Sequence, residues 1–123
     1  MLIQGRPFIC HMAVSEHWMV HYMNAGMTES AEKRAEEARF MADFDTDFAA
    51  RHAGAFAQMH ERLGLDYFGI DCAETPDGRL LLFEADVAMI VHAMDPPDPF
   101  AYKKAPMHRL FAAFEAMLRT AAA

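Results

Sequence analysis

The 123 residues are enough for one domain with a core and too few for two. Hydrophobic residues make up 54% and charged residues 24%, which excludes a generally disordered chain. Eleven Lys and Arg against 18 Asp and Glu leave a net charge of −7, which repels phosphate backbones and argues against nucleic acid as a partner.

No apolar run approaches the ~18 residues of a membrane span. Residues 1–8 lack the apolar stretch and cleavage site of a signal peptide. The expectation is a cytoplasmic chain with no membrane contact. Cys10 and Cys72 lie in apolar runs and read as reduced core residues rather than a disulfide. The 11 methionines fit either a forgiving core with a sticky surface or simple compositional drift.

Residues 6–15 alternate, with Phe8, Cys10, Met12 and Val14 on one face, and predict a strand. Residues 16–27 are rich in aromatic and His side chains and match no single pattern, with Gly26 as the expected end of whatever they form. Thr28 or Ser30 caps a helix through AEKRAEEARFMA, whose charge suits the surface and whose Glu32 suits the positive end of the dipole. Asp45 or Thr46 caps the next helix and Gly64 ends it. Phe48, His52, Ala55, Phe56, Met59 and Leu63 form its stripe. A hairpin follows: YFGIDC (67–72), a turn at ETPDG (74–78), and RLLLFEAD (79–86). DPPDP (95–99) reads as a rigid extended linker. A last helix carries Pro106 in its first turn and Met107, Leu110, Phe111, Phe114 and Leu118 as its stripe. This order predicts one α+β domain over residues 1–123, an antiparallel sheet with helices packed on one face.

The chemistry concentrates in the hairpin. Strand alternation puts Asp71 on one face, and Glu84 with Asp86 opposite Leu81, Phe83 and Ala85. With the apolar faces on the core, Asp71, Glu84 and Asp86 share a side, roughly 5–8 Å apart at Cβ. Oxygen donors so placed suit Mg²⁺ or Mn²⁺. The plainer reading, solvent-facing acids on an exposed sheet face, stands beside it. Glu84 and Asp86 are nonetheless unusual inside the apolar run LLLFEADVAMIV.

The segment LGLDYFGIDCAETPDGRLLLFEADVAMIVH resembles the C-terminal half of an ATP-grasp domain. CHMAVSEHWMVHYMNAGM and AEEARFMADF are similar to segments of bacterial ATP-grasp proteins, including some fused to tetratricopeptide repeats. The resemblance spans about residues 6–119 and is most specific in the hairpin. It implies that Asp71 and Glu84 are Mg²⁺ ligands beneath the ATP phosphates. Asp86 stands where that family has Asn, which keeps an oxygen donor and adds a charge. His11 then faces the substrate side and His92 lines the same cleft, as cofactor-binding residues. The plainer readings are a satisfied sheet histidine for His11 and a loop histidine without a role for His92.

The resemblance further implies an ATP-dependent carboxylate–amine ligase, in which ATP phosphorylates an acid and an amine attacks the acyl phosphate. It also implies a partner N-terminal subdomain bearing the phosphate-holding lysine. Lys33, Lys103 and Lys104 lie in the wrong context to replace that lysine. The 123 residues are therefore expected to be inactive alone, and to work with an N-terminal ATP-grasp subdomain or a tetratricopeptide-repeat region. The alternative is a non-catalytic interaction module derived from the fold. A homodimer is expected in either case, because the chain is rich in apolar residues for its size.

Other patterns are weaker. His17 and His21 would share a helical face at zinc-ligand spacing, but the HExxH order is absent. Trp18 and Tyr22 are spaced to pack together. Cys72 points away from Asp71, and Ser15 has no visible triad partners.

Overall fold

The computed structural model describes residues 1–122. The strands are β1 (Leu2–Ile3), β2 (Arg6–Pro7), β3 (Tyr67–Glu74) and β4 (Leu80–Asp86). The helices are α1 (Ala31–Asp43), α2 (Phe48–Arg51), α3 (Ala53–Leu63), α4 (Pro97–Phe100) and α5 (Lys104–Ala121). All pairing in the β2-β1-β3-β4 sheet is antiparallel, so the α+β expectation holds.

The N-terminal strand is shorter and earlier than expected over 6–15. Gln4 and Gly5, both with positive φ, turn β1 back into β2, as a two-residue hairpin requires. Met1 and Phe8 then exchange backbone hydrogen bonds at 2.7 and 2.8 Å, and the chain leaves the sheet. Pro7 has no N–H for a continuing ladder, and the next amide with a side-chain partner, Met12, donates to Glu37 on α1 at 2.9 Å. Alternation survives locally. Ile9 packs toward α1–α3, while Phe8 and Cys10 pack toward α5. The His-rich stretch runs as irregular backbone to a single 3-10 turn at Tyr22–Asn24.

Ser30, of the two candidates, caps α1 by accepting from the Lys33 amide. The expected helix over 46–63 is two helices, broken where His52 leaves helical geometry (φ −102°, ψ 12°). Neither Asp45 nor Thr46 caps it; Asp47 stands at the N-terminus of α2 and makes no side-chain cap. The His52 amide still reaches Phe48 and the Phe56 amide still reaches His52, so the stripe continues across the break. Phe48, His52 and Phe56 are buried and Leu63 is exposed. Gly64 ends α3 in the left-handed conformation, as expected. The 95–99 linker is not wholly extended, because α4 begins at Pro97. Along α5 the buried stripe is Met107, Leu110 and Met117, with Phe114 half-buried and Phe111 and Leu118 exposed.

The sheet is covered on both sides at its β1 end. Leu2 opposite Phe68 faces Phe44, Phe48 and Phe56 of the α1–α3 layer. Ile3 opposite Tyr67 faces Met107, Leu110 and Met117 of α5. The helices therefore do not all lie on one face: α1–α3 take one and α5 the other. Period two in β1 and β3 forces this, since adjacent apolar residues point to opposite sides. Burying Phe68, Leu2 and Leu110 contributes on the order of 2–3 kcal/mol each.

Candidate functional site

The hairpin register brings the three predicted carboxylates onto one face. Asp71 lies opposite Glu84, and Gly69 lies opposite Asp86. Directly paired side chains stand about 5 Å apart at Cβ, and diagonal ones about 7–8 Å at Cα. Between Asp71 and Cys72 the register shifts, so that Cys72 pairs with Leu82 and Phe83 is the extra residue of a bulge. The bulge corrects the expected alternation of β4. Leu81 pairs with Ala73 and falls on the carboxylate side, while Leu80 packs against the α1–α3 core. Phe83 is 68% exposed rather than a core residue.

Asp71 and Glu84 are exposed, and neither carboxylate has a protein partner among the described residues. Asp86 is half-buried and spends one oxygen on the Ala88 amide at 2.8 Å. That turn sends the chain back across the sheet. A Cβ added at Gly69 would meet the Met89 Cβ at 2.8 Å and the Met1 Sδ at 2.9 Å. Glycine is thus required where Met89 crosses β3 beside Asp86. Among the described residues, no group of three or more His, Cys, Asp or Glu converges tightly enough to hold a metal ion. The donor chemistry of Asp71 and Glu84 suits a hard cation that keeps several waters, with Asp86 two residue pairs along the ladder.

The His11 ring lies 4.8 Å from that of Tyr22. Part of the ring reaches solvent, yet crowding by the surrounding atoms and then the Lys103 charge push its pKa below the ordinary value. Glu37 and Asp71 act in the opposite sense. His92 is exposed and its Nδ1 accepts from the Met94 amide at 3.3 Å. Cys10 and Cys72 are free thiols on opposite sides of the sheet, both pushed up by burial.

Sequence reasoning missed a buried polar cluster beside His11. Glu37 is 0% exposed. One of its oxygens accepts from the Met12 amide at 2.9 Å; the other accepts from the Tyr22 hydroxyl at 2.9 Å and the Tyr102 hydroxyl at 2.6 Å. The buried Lys103 ammonium lies 3.5 Å from Glu37 and 3.2 Å from Asp95, and donates to the Tyr22 hydroxyl. It also sits over the rings of Tyr22 and Phe100, 4.0 and 4.8 Å from their centroids. Burial and the bond to Glu37 raise both phenols above their ordinary range, which keeps them protonated donors. No buried side-chain polar atom lacks a partner among the described residues. One signal for this cluster was legible. Glu37 precedes Met41 by four residues and Phe44 by seven, which puts it on the buried face of α1.

At the far end of the hairpin, Glu74 accepts from Arg51, and its Oε2 lies 2.6 Å from the Nε2 of buried His52. This ties β3 to the α2–α3 junction. A groove of about 280 Å³ between Met12 and Phe40, Phe44 and Phe48 opens on that helical side and contains none of the predicted site residues. No helix among the described residues is long and apolar enough to cross a membrane. No protein-family model matches the chain, and neither the curated proteins nor the solved structures contain a match.

Proposed function

We propose that the chain is a partial ATP-grasp-like domain whose Asp71, Glu84 and Asp86 hold Mg²⁺ or Mn²⁺ and, through it, the phosphates of ATP. The observation that supports this reading is the hairpin register, with Asp71 opposite Glu84 and Asp86 on the same face. A divalent cation bound there supplies positive charge against the β- and γ-phosphates. Asp71 and Glu84, free of protein partners, orient it from two neighbouring strands. Asp86, held by its own turn, adds a fixed charge at the covered end of the face. His11 and His92 are the cofactor-binding histidines of this reading. The chemistry served is that of an ATP-dependent carboxylate–amine ligase, in the cytoplasm. ATP turnover requires phosphate-holding groups beyond this face, supplied by an N-terminal lysine-bearing subdomain, so the 123 residues bind the cation weakly and do not turn over ATP.

Mn²⁺ relaxation of water protons tests the site directly. Wild type should bind, and Glu84→Ala should abolish binding. Equal binding by the two proteins would sink the assignment. ATP turnover by the purified chain, lost in Asp71→Asn, would overturn the claim of inactivity.

A second reading, a non-catalytic homodimerisation module, has its own observation. Phe83, Val87, Ile90 (84% exposed) and Met94 leave a run of large apolar side chains in water along β4 and the segment after it. With −7 on each copy, such a dimer tightens as salt rises. Light scattering decides: a monomeric mass up to millimolar protein at high salt excludes it.

A further inference from the structure

Residues 12–22 leave the body of the protein at one end of a carboxylate and return to the other. The Met12 amide donates to one oxygen of Glu37 and the Tyr22 hydroxyl donates to the other, both at 2.9 Å. The stretch between them makes no strand or helix. Its one side-chain bond is local, the His17 amide to Ser15 Oγ at 3.1 Å. Its tip is in water, with Trp18 94% exposed and Met19 and Val20 exposed beside it. Beyond Tyr22 the backbone is again fixed to α1. Lys33 donates to the Ala25 carbonyl, and Arg34 donates to the Met27 and Thr28 carbonyls.

Just before Met12, Phe8 and Cys10 pack with Ile3, Tyr67, Met89 and Val91 on the carboxylate side of the sheet. The segment is therefore anchored before and after and held at its two ends by Glu37, with Ala13 and Val14 adding apolar contact to the Ala25, Met27 and Phe100 cluster.

We propose that residues 12–22 are a strap that opens and closes as one unit, latched at both ends by Glu37, and that the latch fixes the His11 ring against Tyr22. The latch is built for cooperativity. Lys103 holds Tyr22 by its hydroxyl and ring while pairing with Glu37. Losing either end therefore weakens the other through the same carboxylate. Opening carries away Tyr22, on which the His11 ring rests. The body keeps its separate cores: the α1–α3 layer against Leu2 and Phe68, and α5 against Ile3. Local opening at lower free energy than global unfolding follows from this division. The regulatory meaning, control over the position of His11, rests on the cation-site reading above; the strap itself does not.

Native-state hydrogen exchange of the full chain, read by amide in rising low denaturant, tests the proposal. The Met12 amide should exchange at least tenfold faster than the slowest amides of β3, with little dependence on denaturant. Tyr22→Phe, which keeps the ring and removes the hydroxyl's bonds with Glu37 and Lys103, should speed Met12 at least fivefold further and leave the β3 amides unchanged. Met12 exchanging together with β3 in wild type would overturn the strap, because it would open only with the whole fold. An unchanged Met12 rate in Tyr22→Phe would overturn the two-ended latch. A wild type that ignores Mn²⁺ sinks the cation site and leaves these exchange results standing, so the two failures are distinct.

Discussion

Neutralising Lys103 should expose what the buried cluster contributes. In Lys103→Met the stem still covers Tyr22 and Phe100, but the ammonium 3.5 Å from Glu37 is gone. At an effective dielectric of ~20 the raw attraction at that distance is about 5 kcal/mol. Most of it is cancelled by the cost of keeping two charges from water. What remains after substitution is Glu37, wholly buried, with three neutral donors and no cation. Breaking a buried pair in this way costs roughly 3–5 kcal/mol. Strap opening lets water reach the orphaned carboxylate, which puts the expectation near ~3 kcal/mol. That is a fall in Tm of roughly 12 °C for a chain of this size. Glu37→Gln should cost a similar amount, because Lys103 is left with Asp95 alone as its counter-ion. The double variant removes both charges together. It should recover about 1–3 kcal/mol relative to the sum of the singles. Urea unfolding of the four proteins measures the cycle. Losses below ~1 kcal/mol in both singles, or additivity within ~0.5 kcal/mol, would refute the reasoning.

Two further outcomes follow from the same geometry. Gly69→Ala should cost about 1–3 kcal/mol in urea unfolding, since the new methyl must displace Met89 and Met1; unchanged stability would mean that the segment after β4 does not lie on the sheet. His11 titrates below an ordinary imidazole because of crowding first and Lys103 second, so by NMR its pKa should rise in Lys103→Met. The folded state then binds fewer protons than the unfolded state. His11 therefore contributes stability above pH ~6.5, its unfolded value, and that contribution is lost as pH falls through the folded value. An unshifted His11 in wild type would contradict the crowded ring.

The hairpin shows how far local sequence reaches. Pro76, Asp77 and Gly78 specify a turn by torsion alone, alternation sets the strands, and Asp71, Glu84 and Asp86 fall on one side as expected. The bulge at Phe83 was illegible, because an extra residue in one strand is decided by how the ladder closes against its partner. The caps at Ser30 and Gly64 were readable for the same local reason as the turn.

Residues 6–15 show the limit. Their alternation is real, but a strand needs a neighbour to receive its amides, and beyond Phe8 the amide of Met12 goes to Glu37 instead. The break at His52 belongs to the same class, since the stripe it interrupts is continuous in sequence. The α5 face also depended on context. Which side of the sheet that helix covers follows from Ile3 and Tyr67, far from it in the chain.

The sequence by itself determined the 67–86 hairpin, the shared face of its carboxylates and the end of α3 at Gly64, because those follow from torsions and periodicity within a few residues. Only the tertiary structure decided that Glu37, Tyr22, Tyr102, Asp95 and Lys103 meet in one buried cluster. Spacing along α1 marks Glu37 as inward-facing, but nothing local to any of the five names its partners. A charge leaves water only where distant segments bring it enough donors and an opposite charge, and that supply is a property of the packed fold.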